Sequence, residues 1–127
     1  MDLKLHHCAY RINLGCFNKV SKLLIQLGCT SIYTSKEKDW GIFNQNNRIL
    51  QIIETPVKPL NCKQKLSSHI GFISSDPLKE IKRIEKWAKK NKLRFVHGSW
   101  SELEFWFYFP ELFNDFVIEV MNKKIIE

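Results

Sequence analysis

The stretch SSHIGFISSDPLKEIKRIEKW, residues 67–87, decides the fold because it predicts a strand that leads directly into a helix. Residues 67–74 have strand character. Asp76 and Pro77 then open a helix, since aspartate is a favoured cap and proline fits the first helical position. Asn91 can end this helix. Its predicted buried face consists of apolar residues at helical spacing: Leu78, Ile81, Ile84 and Ala88.

Three further strands are predicted after this helix. They are LRFVHG (residues 93–98), LEFWFYF (103–109) and DFVIEVM (115–121). The second half of the chain is therefore predicted to have the order β-α-β-β-β.

The first half of the chain repeats that order. Residues 3–12 have strand character, and a helical face then ends at Gly28. The apolar residues of that face are Phe17, Val20, Leu23, Leu24 and Leu27. Three strands follow: TSIYTS (30–35), WGIFNQ (40–45) and RILQIIE (48–54), with Asn46-Asn47 as a hairpin turn between the last two.

The segment between the two halves has the character of a connector. It contains two prolines and little periodicity. We predict one α+β domain over residues 1–127, built from a first module at about 3–54, a connector at 55–65 and a second module at about 66–122.

Composition indicates an ordinary soluble protein of the cytoplasm. Of the 127 residues, 44% are hydrophobic and 26% are charged, which is typical of globular domains. The N-terminus lacks the pattern of a signal peptide, and no apolar run is long enough for a membrane span. The four cysteines form no CxxC pair, which favours free thiols in a reducing compartment over cysteine-bound zinc.

The net charge of +7 raises the question of a nucleic-acid partner. Much of the excess lies in one cluster: Lys79, Lys82, Arg83, Lys86, Lys89, Lys90 and Lys92. Because these residues occur at helical spacing beside apolar ones, they indicate a solvated helix face. No nucleic-acid motif accompanies them, so we predict no nucleic-acid partner.

Polar residues occupy corresponding strands in the two halves. His7 lies eight residues before Gly15, where the first helix region opens, and His69 lies seven before Asp76. Both are predicted in the middle of the first strand of their module. His6 is expected to point to the opposite side from His7, because strand side chains alternate. In the last strands, Gln51 lies 44 residues after His7 and Glu119 lies 50 after His69.

This arrangement resembles the vicinal oxygen chelate superfamily, which includes glyoxalase I, methylmalonyl-CoA epimerase, fosfomycin-resistance proteins and extradiol dioxygenases. The resemblance covers residues 3–121 and rests on the doubled β-α-β-β-β order. It implies two tandem βαβββ modules that form a curved mixed sheet around a cleft. A divalent metal is then expected on the inner wall, held by ligands from the first and fourth strands of each module.

Four short motifs give the residues that the resemblance implies. LHHCAYRI (5–12) is similar to the opening strand of glyoxalase I, where a ligand precedes an arginine by four positions. That selects His7 over His6 and makes Arg11 the matching arginine. LQIIE (50–54) places Gln51 rather than Glu54 in the ligand position, SSHIGF (67–72) supplies His69, and VIEVM (117–121) supplies Glu119.

The resemblance also implies the chemistry. Two imidazoles, an amide oxygen and one carboxylate leave a divalent ion with net positive charge, and nickel, cobalt, manganese, zinc or iron are all admissible. Such an ion can polarise a carbonyl, which predicts a lyase or isomerase for a small 2-oxo or thioester substrate. Glu119 is expected to act also as the catalytic base, and Arg11, Trp40 and Trp106 are expected to bind the substrate.

The sequence departs from the family in three places. FPELFNDF, residues 109–116, replaces the usual acidic-Pro-acidic-Gly turn. Thr55 stands where glyoxalase I has an asparagine that helps hold glutathione, and WGIFNQ lacks the second catalytic glutamate of the epimerase.

Two other functions therefore stay open: a drug-sequestering binding protein without catalysis, and an extradiol dioxygenase. In each case a homodimer is expected, with the aromatic residues 105–109 near the contact.

Overall fold

The computed structural model of the chain describes residues 5–56, 65, 66 and 68–125. The chain divides into two compact units, Met1–Lys58 and Pro59–Glu127, and the division falls inside the predicted connector 55–65. Most of that connector lies outside the described residues, and the prediction of a single domain stays a prediction.

The first unit contains one helix and a mixed four-stranded sheet. Its elements are β1 (Cys8–Ile12), α1 (Phe17–Gln26), β2 (Thr30–Thr34), β3 (Trp40–Gln45) and β4 (Arg48–Glu54). The strand order is β1-β4-β3-β2, in which β1 and β4 are parallel and the other neighbours are antiparallel.

The second unit repeats this arrangement. Its elements are β5 (His69–Ser74), α2 (Pro77–Lys90), β6 (Val96–Ser101), β7 (Glu104–Tyr108) and β8 (Val117–Asn122), followed by a short 3₁₀ helix at Lys123–Ile125. The strand order is β5-β8-β7-β6, with β5 and β8 parallel. The predicted α+β fold of two tandem βαβββ modules is confirmed, and each module has its own four-stranded sheet.

Helix α1 covers one face of the first sheet. Phe17, Val20, Leu23 and Leu24 are buried, as the helical spacing predicts. Gly41 on β3 allows the close approach, because a Cβ there would lie 2.8 Å from the Phe17 ring. Gly28, with a φ of +89°, ends the helical region in the left-handed conformation that favours glycine.

Helix α2 begins and packs largely as predicted. The side chain of Asp76 accepts a hydrogen bond from the backbone N–H of Lys79, and Pro77 occupies the first turn. The buried residues are Pro77, Ile81, Ile84 and Ala88, whereas Leu78 is 46% exposed. The prediction that Leu78 faces the core is therefore wrong, because Pro77 takes the buried position of the first turn.

The basic residues of α2 lie on its solvent side. All seven residues of the predicted cluster are exposed: Lys79, Lys82, Arg83, Lys86, Lys89, Lys90 and Lys92. Arg83 pairs with Glu80 one turn earlier, at 2.8 Å. This confirms a solvated helix face. No helix within the described ranges is both long and apolar enough to span a membrane.

The sixth strand starts later than predicted. The pattern of LRFVHG suggests a strand from residue 93, but β6 begins at Val96. Leu93 instead closes the end of α2, where its N–H donates to the Ala88 carbonyl. Both the backbone N–H and the Nε of Arg94 donate to the Glu111 carboxylate, at 3.1 Å each. These tertiary hydrogen bonds keep the segment out of the sheet.

The core of the second unit is aromatic. Phe107, Phe109 and Phe113 have no exposed surface, and the rings of Phe113 and Phe116 stack at 4.4 Å. The segment FPELFNDF, which departs from the family turn, thus supplies core side chains. Of the residues 105–109 expected at a dimer contact, only Phe105 and Trp106 keep partial exposure. The homodimer itself stays a prediction.

The cysteines within the described residues are free thiols: Cys8, Cys16 and Cys29. Burial raises the pKa of the Cys29 thiol to about 11. Cys62 lies outside the described residues.

Candidate metal centre

The second unit brings two of the predicted ligands together. Nε2 of His69 and Oε1 of Glu119 are 3.9 Å apart. In the parallel pairing of β5 with β8, Gly71 lies opposite Glu119 and His69 lies opposite Val117. Because side chains alternate along a strand, His69, Gly71 and Glu119 all face the same side of the sheet. The prediction that His69 lies in the middle of its strand is wrong, because His69 is the first residue of β5.

Gly71 leaves the space that the Glu119 carboxylate occupies. A Cβ on Gly71 would lie 3.3 Å from Oε1 of Glu119, which is closer than ordinary van der Waals contact. The carboxylate therefore lies over the backbone of β5, next to His69. The His69 side chain is 41% exposed, whereas that of Glu119 is 12% exposed and mostly covered.

The separation of these two donor atoms fits a shared metal ion. Histidine nitrogens and carboxylate oxygens bind zinc at about 2.0–2.2 Å, so two donors on one ion cannot be more than about 4.4 Å apart. The observed 3.9 Å lies within that limit. An imidazole and a carboxylate are also the ligand types that zinc, manganese and iron accept.

The first unit repeats this register with different residues. Gln51 lies opposite Ala9 in the parallel pairing of β1 with β4, and His7 lies two positions before Ala9. His7 therefore precedes β1, which begins at Cys8, and is not in the middle of a strand as had been predicted. The pair His7–Gln51 corresponds to the pair His69–Glu119, with Ala9 in the place of Gly71.

His6 and His7 do not lie on opposite sides of a strand. Their rings are in edge-to-face contact, with centroids 5.3 Å apart and Nδ1 atoms 3.0 Å apart. The expected alternation is wrong because both residues precede β1, and strand pairing does not fix their directions. Both side chains are exposed.

Glu54, the carboxylate nearest to Gln51 in sequence, has a different role. Its Oε2 accepts a hydrogen bond from the backbone N–H of Phe17, the first residue of α1, at 2.9 Å. The N-cap residue Cys16 makes no such bond with its own side chain. Glu54 therefore caps α1 from the sheet, where a negative charge also interacts favourably with the helix dipole. The sequence contains the signal for this role, because positions 51 and 54 lie on opposite faces of a strand.

The predicted substrate-binding residues of the first unit share the face of Gln51. Ile42 lies opposite Gln51, and Ile53 lies opposite both Arg11 and Trp40. The ring of Trp40 contacts that of Tyr33, at 5.1 Å between centroids. Arg11 is half-buried and engaged in an interaction of its own.

Trp106, the predicted substrate-binding residue of the second unit, lies directly opposite Glu119 in the pairing of β7 with β8. A second tryptophan, Trp100, lies near His69. The centroids of its ring and of the His69 ring are 5.7 Å apart.

The structure thus places His69 and Glu119 together in the second unit, while His7 and Gln51 belong to the first. Across residues 5–56, 65, 66 and 68–125, no three histidine, cysteine, aspartate or glutamate side chains gather in one group. His69 and Glu119 have donor atoms close enough to share one ion.

Comparison with solved structures identifies the fold. A variant of the fosfomycin resistance protein FosX from Listeria monocytogenes, in complex with Mn(II) and 1S,2S-dihydroxypropylphosphonic acid, is 19% identical with a TM-score of 0.61. The match covers 95% of this chain and 90% of that chain. A possible glyoxalase from Bacillus cereus is 16% identical with a TM-score of 0.61, over 94% and 98% of the two chains. FosX from Mesorhizobium loti is 16% identical with a TM-score of 0.61, over 96% and 93%.

These likenesses show that the chain has the vicinal oxygen chelate fold that its sequence resembles. No protein-family model matches the sequence, and no curated protein matches it.

Proposed function

We propose that this chain is a metal-dependent lyase or isomerase of the glyoxalase type, acting on a small substrate with a 2-oxo or thioester group. His7, Gln51, His69 and Glu119 are the proposed ligands of a divalent ion. The observation that carries the proposal is the His69–Glu119 pair, with donor atoms 3.9 Å apart and a glycine beneath the carboxylate. A similar spacing in the first unit supports it: His7 stands two positions before Ala9, which lies opposite Gln51, as His69 stands two before Gly71.

The likeness to FosX gives independent support for a divalent metal. The Listeria monocytogenes protein was crystallised with Mn(II), both with a dihydroxyphosphonic acid and with a sulfate ion. Nickel, cobalt, manganese, zinc and iron all remain candidates for this chain, because imidazole and carboxylate ligands suit each of them.

A bound divalent ion would polarise a substrate carbonyl and acidify the neighbouring C–H group. Glu119 is the proposed base, since its carboxylate is the only charged oxygen in the proposed ligand set and faces the same side of the sheet as His69. The proton from the substrate carbon would be held at Oε1 or Oε2 of Glu119. His69 would bind the ion through Nε2, the atom nearest to the carboxylate. Arg11, Trp40 and Trp106 are the proposed substrate contacts.

A second function, ligand sequestration without catalysis, is supported by a separate observation. The aromatic residues beside Glu119 form a continuous row, with Trp100 and Trp106 at 6.4 Å and Trp106 and Tyr108 at 6.3 Å between centroids. Such a row buries apolar ligand surface whether or not a metal is present.

Metal analysis of purified variants tests the proposal. His69→Ala and Glu119→Gln should each lower the bound metal after loading with Mn(II), Ni(II), Co(II) or Zn(II), and should remove the rise in melting temperature that metal produces. His97→Ala is the matched control, because His97 is an exposed histidine of the same sheet that is 4.0 Å from Glu85. Equal metal content in wild type, His69→Ala and Glu119→Gln would contradict metal binding at this pair and favour sequestration.

The contribution of the first unit is tested separately. His7→Ala should lower metal affinity, whereas His6→Ala should leave it nearly unchanged. If the wild type binds one ion per chain and His7→Ala has no effect, the ligand set is restricted to the second unit. A 2-oxoaldehyde thiol adduct and an acyl-CoA thioester are the first substrates to assay. A catechol assay with iron(II) under anaerobic loading tests the dioxygenase alternative.

A further inference from the structure

Trp100 is displaced from the regular pattern of its strand. In the pairing of β6 with β7, Ser99 lies opposite Phe105 and Ser101 lies opposite Glu104, with a register shift between Ser99 and Ser101. Trp100 is the residue at this irregularity. Bulges of this kind bend a strand and redirect the side chain of the extra residue. The indole of Trp100 is 41% exposed and therefore open to a ligand.

The redirected indole reaches a residue from the opposite edge of the sheet. The strand order β5-β8-β7-β6 puts His69 and Trp100 on the two edge strands. The two ring centroids are nevertheless 5.7 Å apart. The side chains of the two edge strands therefore reach toward each other across the face that carries Glu119.

A second indole extends this contact toward the middle of the sheet. A Cβ on Gly98 would lie 2.6 Å from the Trp106 ring, so the indole of Trp106 lies over the backbone of β6. It leans away from Glu119, which is on β8 at the other side of β7. The centroids of Trp106 and Trp100 are 6.4 Å apart. The two indoles thus form one apolar wall next to the carboxylate without covering it.

We propose that Trp100 and Trp106 form an aromatic subsite that takes a flat, unsaturated group of the substrate, and that Trp100 determines this specificity. The subsite depends on the proposed function in one respect: the oxygens of the substrate would be bound beside His69 and Glu119. Aromatic rings gain roughly 2- to 12-fold in affinity from ring–ring contact beyond the area that they bury. A flat group is therefore favoured over a saturated ring of the same size.

The wall continues into the core at Tyr108. The Tyr108 ring stacks beside Trp106 with 13° between their planes, and its centroid lies 3.8 Å from the Nζ of the buried Lys65. This end of the wall is therefore fixed by core packing, and the exposed part is the indole of Trp100.

Two 2-oxo acids with eight carbons each, phenylglyoxylate and cyclohexylglyoxylate, serve as probes in isothermal titration calorimetry with the full chain. Both present the same chelating oxygens, and only the first has a flat ring. The Zn(II)-loaded wild type should bind phenylglyoxylate more tightly by roughly 2- to 12-fold. Trp100→Leu should bring this ratio close to 1, and Trp100→Phe should keep most of it. Trp106→Leu is a second variant with the same expected direction.

Trp87→Phe is the control, because Trp87 contacts Phe109 in the core and not the wall. It should keep the wild-type ratio. A wild-type ratio of 1, or a ratio unchanged in both Trp100→Leu and Trp106→Leu, would overturn the subsite. The same titrations without metal separate the two proposals. If no Zn(II) binds but the aryl preference persists, the metal-dependent function fails and the subsite stands. If Zn(II) binds without any aryl preference, the subsite fails and the metal-dependent function stands.

Discussion

Replacement of Gly71 by alanine should change metal affinity and stability in opposite directions. A Cβ at this position would lie 3.3 Å from Oε1 of Glu119, so the carboxylate has to move by a few tenths of an ångström. Metal–ligand distances tolerate only about ±0.2 Å. The displacement is therefore comparable with the tolerance of the site. Changes to groups that orient metal ligands weaken binding roughly 10- to 100-fold, and Gly71→Ala should fall near the lower limit.

The same substitution should not destabilise the fold. Gly71 is not among the residues with positive φ, so alanine can adopt its backbone conformation. Replacing glycine at such a position reduces the conformational freedom of the unfolded chain and stabilises a protein by about 0.4–1 kcal/mol. Any strain against the carboxylate subtracts from that gain. We therefore expect unfolding free energy equal to or above that of the wild type.

The assay pairs competition with a chelator, which gives the metal dissociation constant, with urea unfolding of the metal-free protein. Gly71→Val should weaken the metal further, since its two methyl groups extend beyond Cβ. Ala9→Gly is the matched control, because Ala9 lies opposite Gln51 in the equivalent register. It should cost about 0.5–1 kcal/mol of stability and leave metal affinity nearly unchanged. Wild-type metal affinity in both Gly71 variants would refute the inference that Glu119 binds metal from this position.

Three further outcomes follow from the same geometry. Gln51→Glu should tighten divalent-metal binding because a charged oxygen replaces a neutral one, while Gln51→Leu should weaken it. Equal metal dissociation constants for the wild type and both variants would make Gln51 a surface residue. Glu54→Gln should lower stability by about 0.5–2 kcal/mol in urea unfolding, since the carboxylate accepts the Phe17 N–H at the start of α1, and should leave metal affinity unaffected. Burial raises the pKa of Glu111, but hydrogen bonds from its own backbone and from Arg94, together with the Arg94 charge, hold that pKa below its ordinary value. Because this folded-state pKa is depressed, the contribution is present above the unfolded pKa of about 4.3 and is lost as the pH falls through the folded value. Glu111→Gln should therefore remove about 0.2–1 kcal/mol at pH 7, and the difference from the wild type should shrink as the pH falls.

The order of the elements was predictable from the sequence because periodicity and cap residues agree with the fold. Asp76 and Pro77 start α2 as their chemistry requires, and Gly28 ends the first helical region. The start of β6 was not predictable. Leu93 and Arg94 have strand-like neighbours, but their positions depend on Ala88 and Glu111, which are distant or on another element. Local propensity cannot contain such contacts.

The candidate site was likewise predictable only in part. The correspondence of Gln51 with Glu119 follows from the repeated order and reappears in the strand register, where they lie opposite Ala9 and Gly71. His7 corresponds to His69 in sequence spacing but precedes β1. What the pattern did not contain is the neighbourhood of each residue. The irregularity at Trp100 exists only in the pairing of β6 with β7, and its contact with His69 joins the two edge strands of the sheet. The ring contact of His6 with His7 was missed because the strand was predicted to begin too early.

The two units share a fold but differ in chemistry at equivalent positions. In the first unit, a neutral amide, Gln51, lies opposite Ala9; in the second, a carboxylate, Glu119, lies opposite Gly71. Glycine rather than alanine opposite the carboxylate has a steric reason. Oε1 of Glu119 lies 3.3 Å from the position that the Cβ of an alanine at residue 71 would take. The double change Gly71→Ala with Glu119→Gln converts the second unit to the chemistry of the first. We expect it to fold with near-wild-type stability, because it reproduces a pairing that the chain already contains. The double variant should nevertheless lose the proposed base, Glu119. If it retains metal but shows no lyase or isomerase turnover, residue 119 has a catalytic role that is separate from metal binding. Turnover equal to the wild type, in the presence of metal, would show that the base is a different residue.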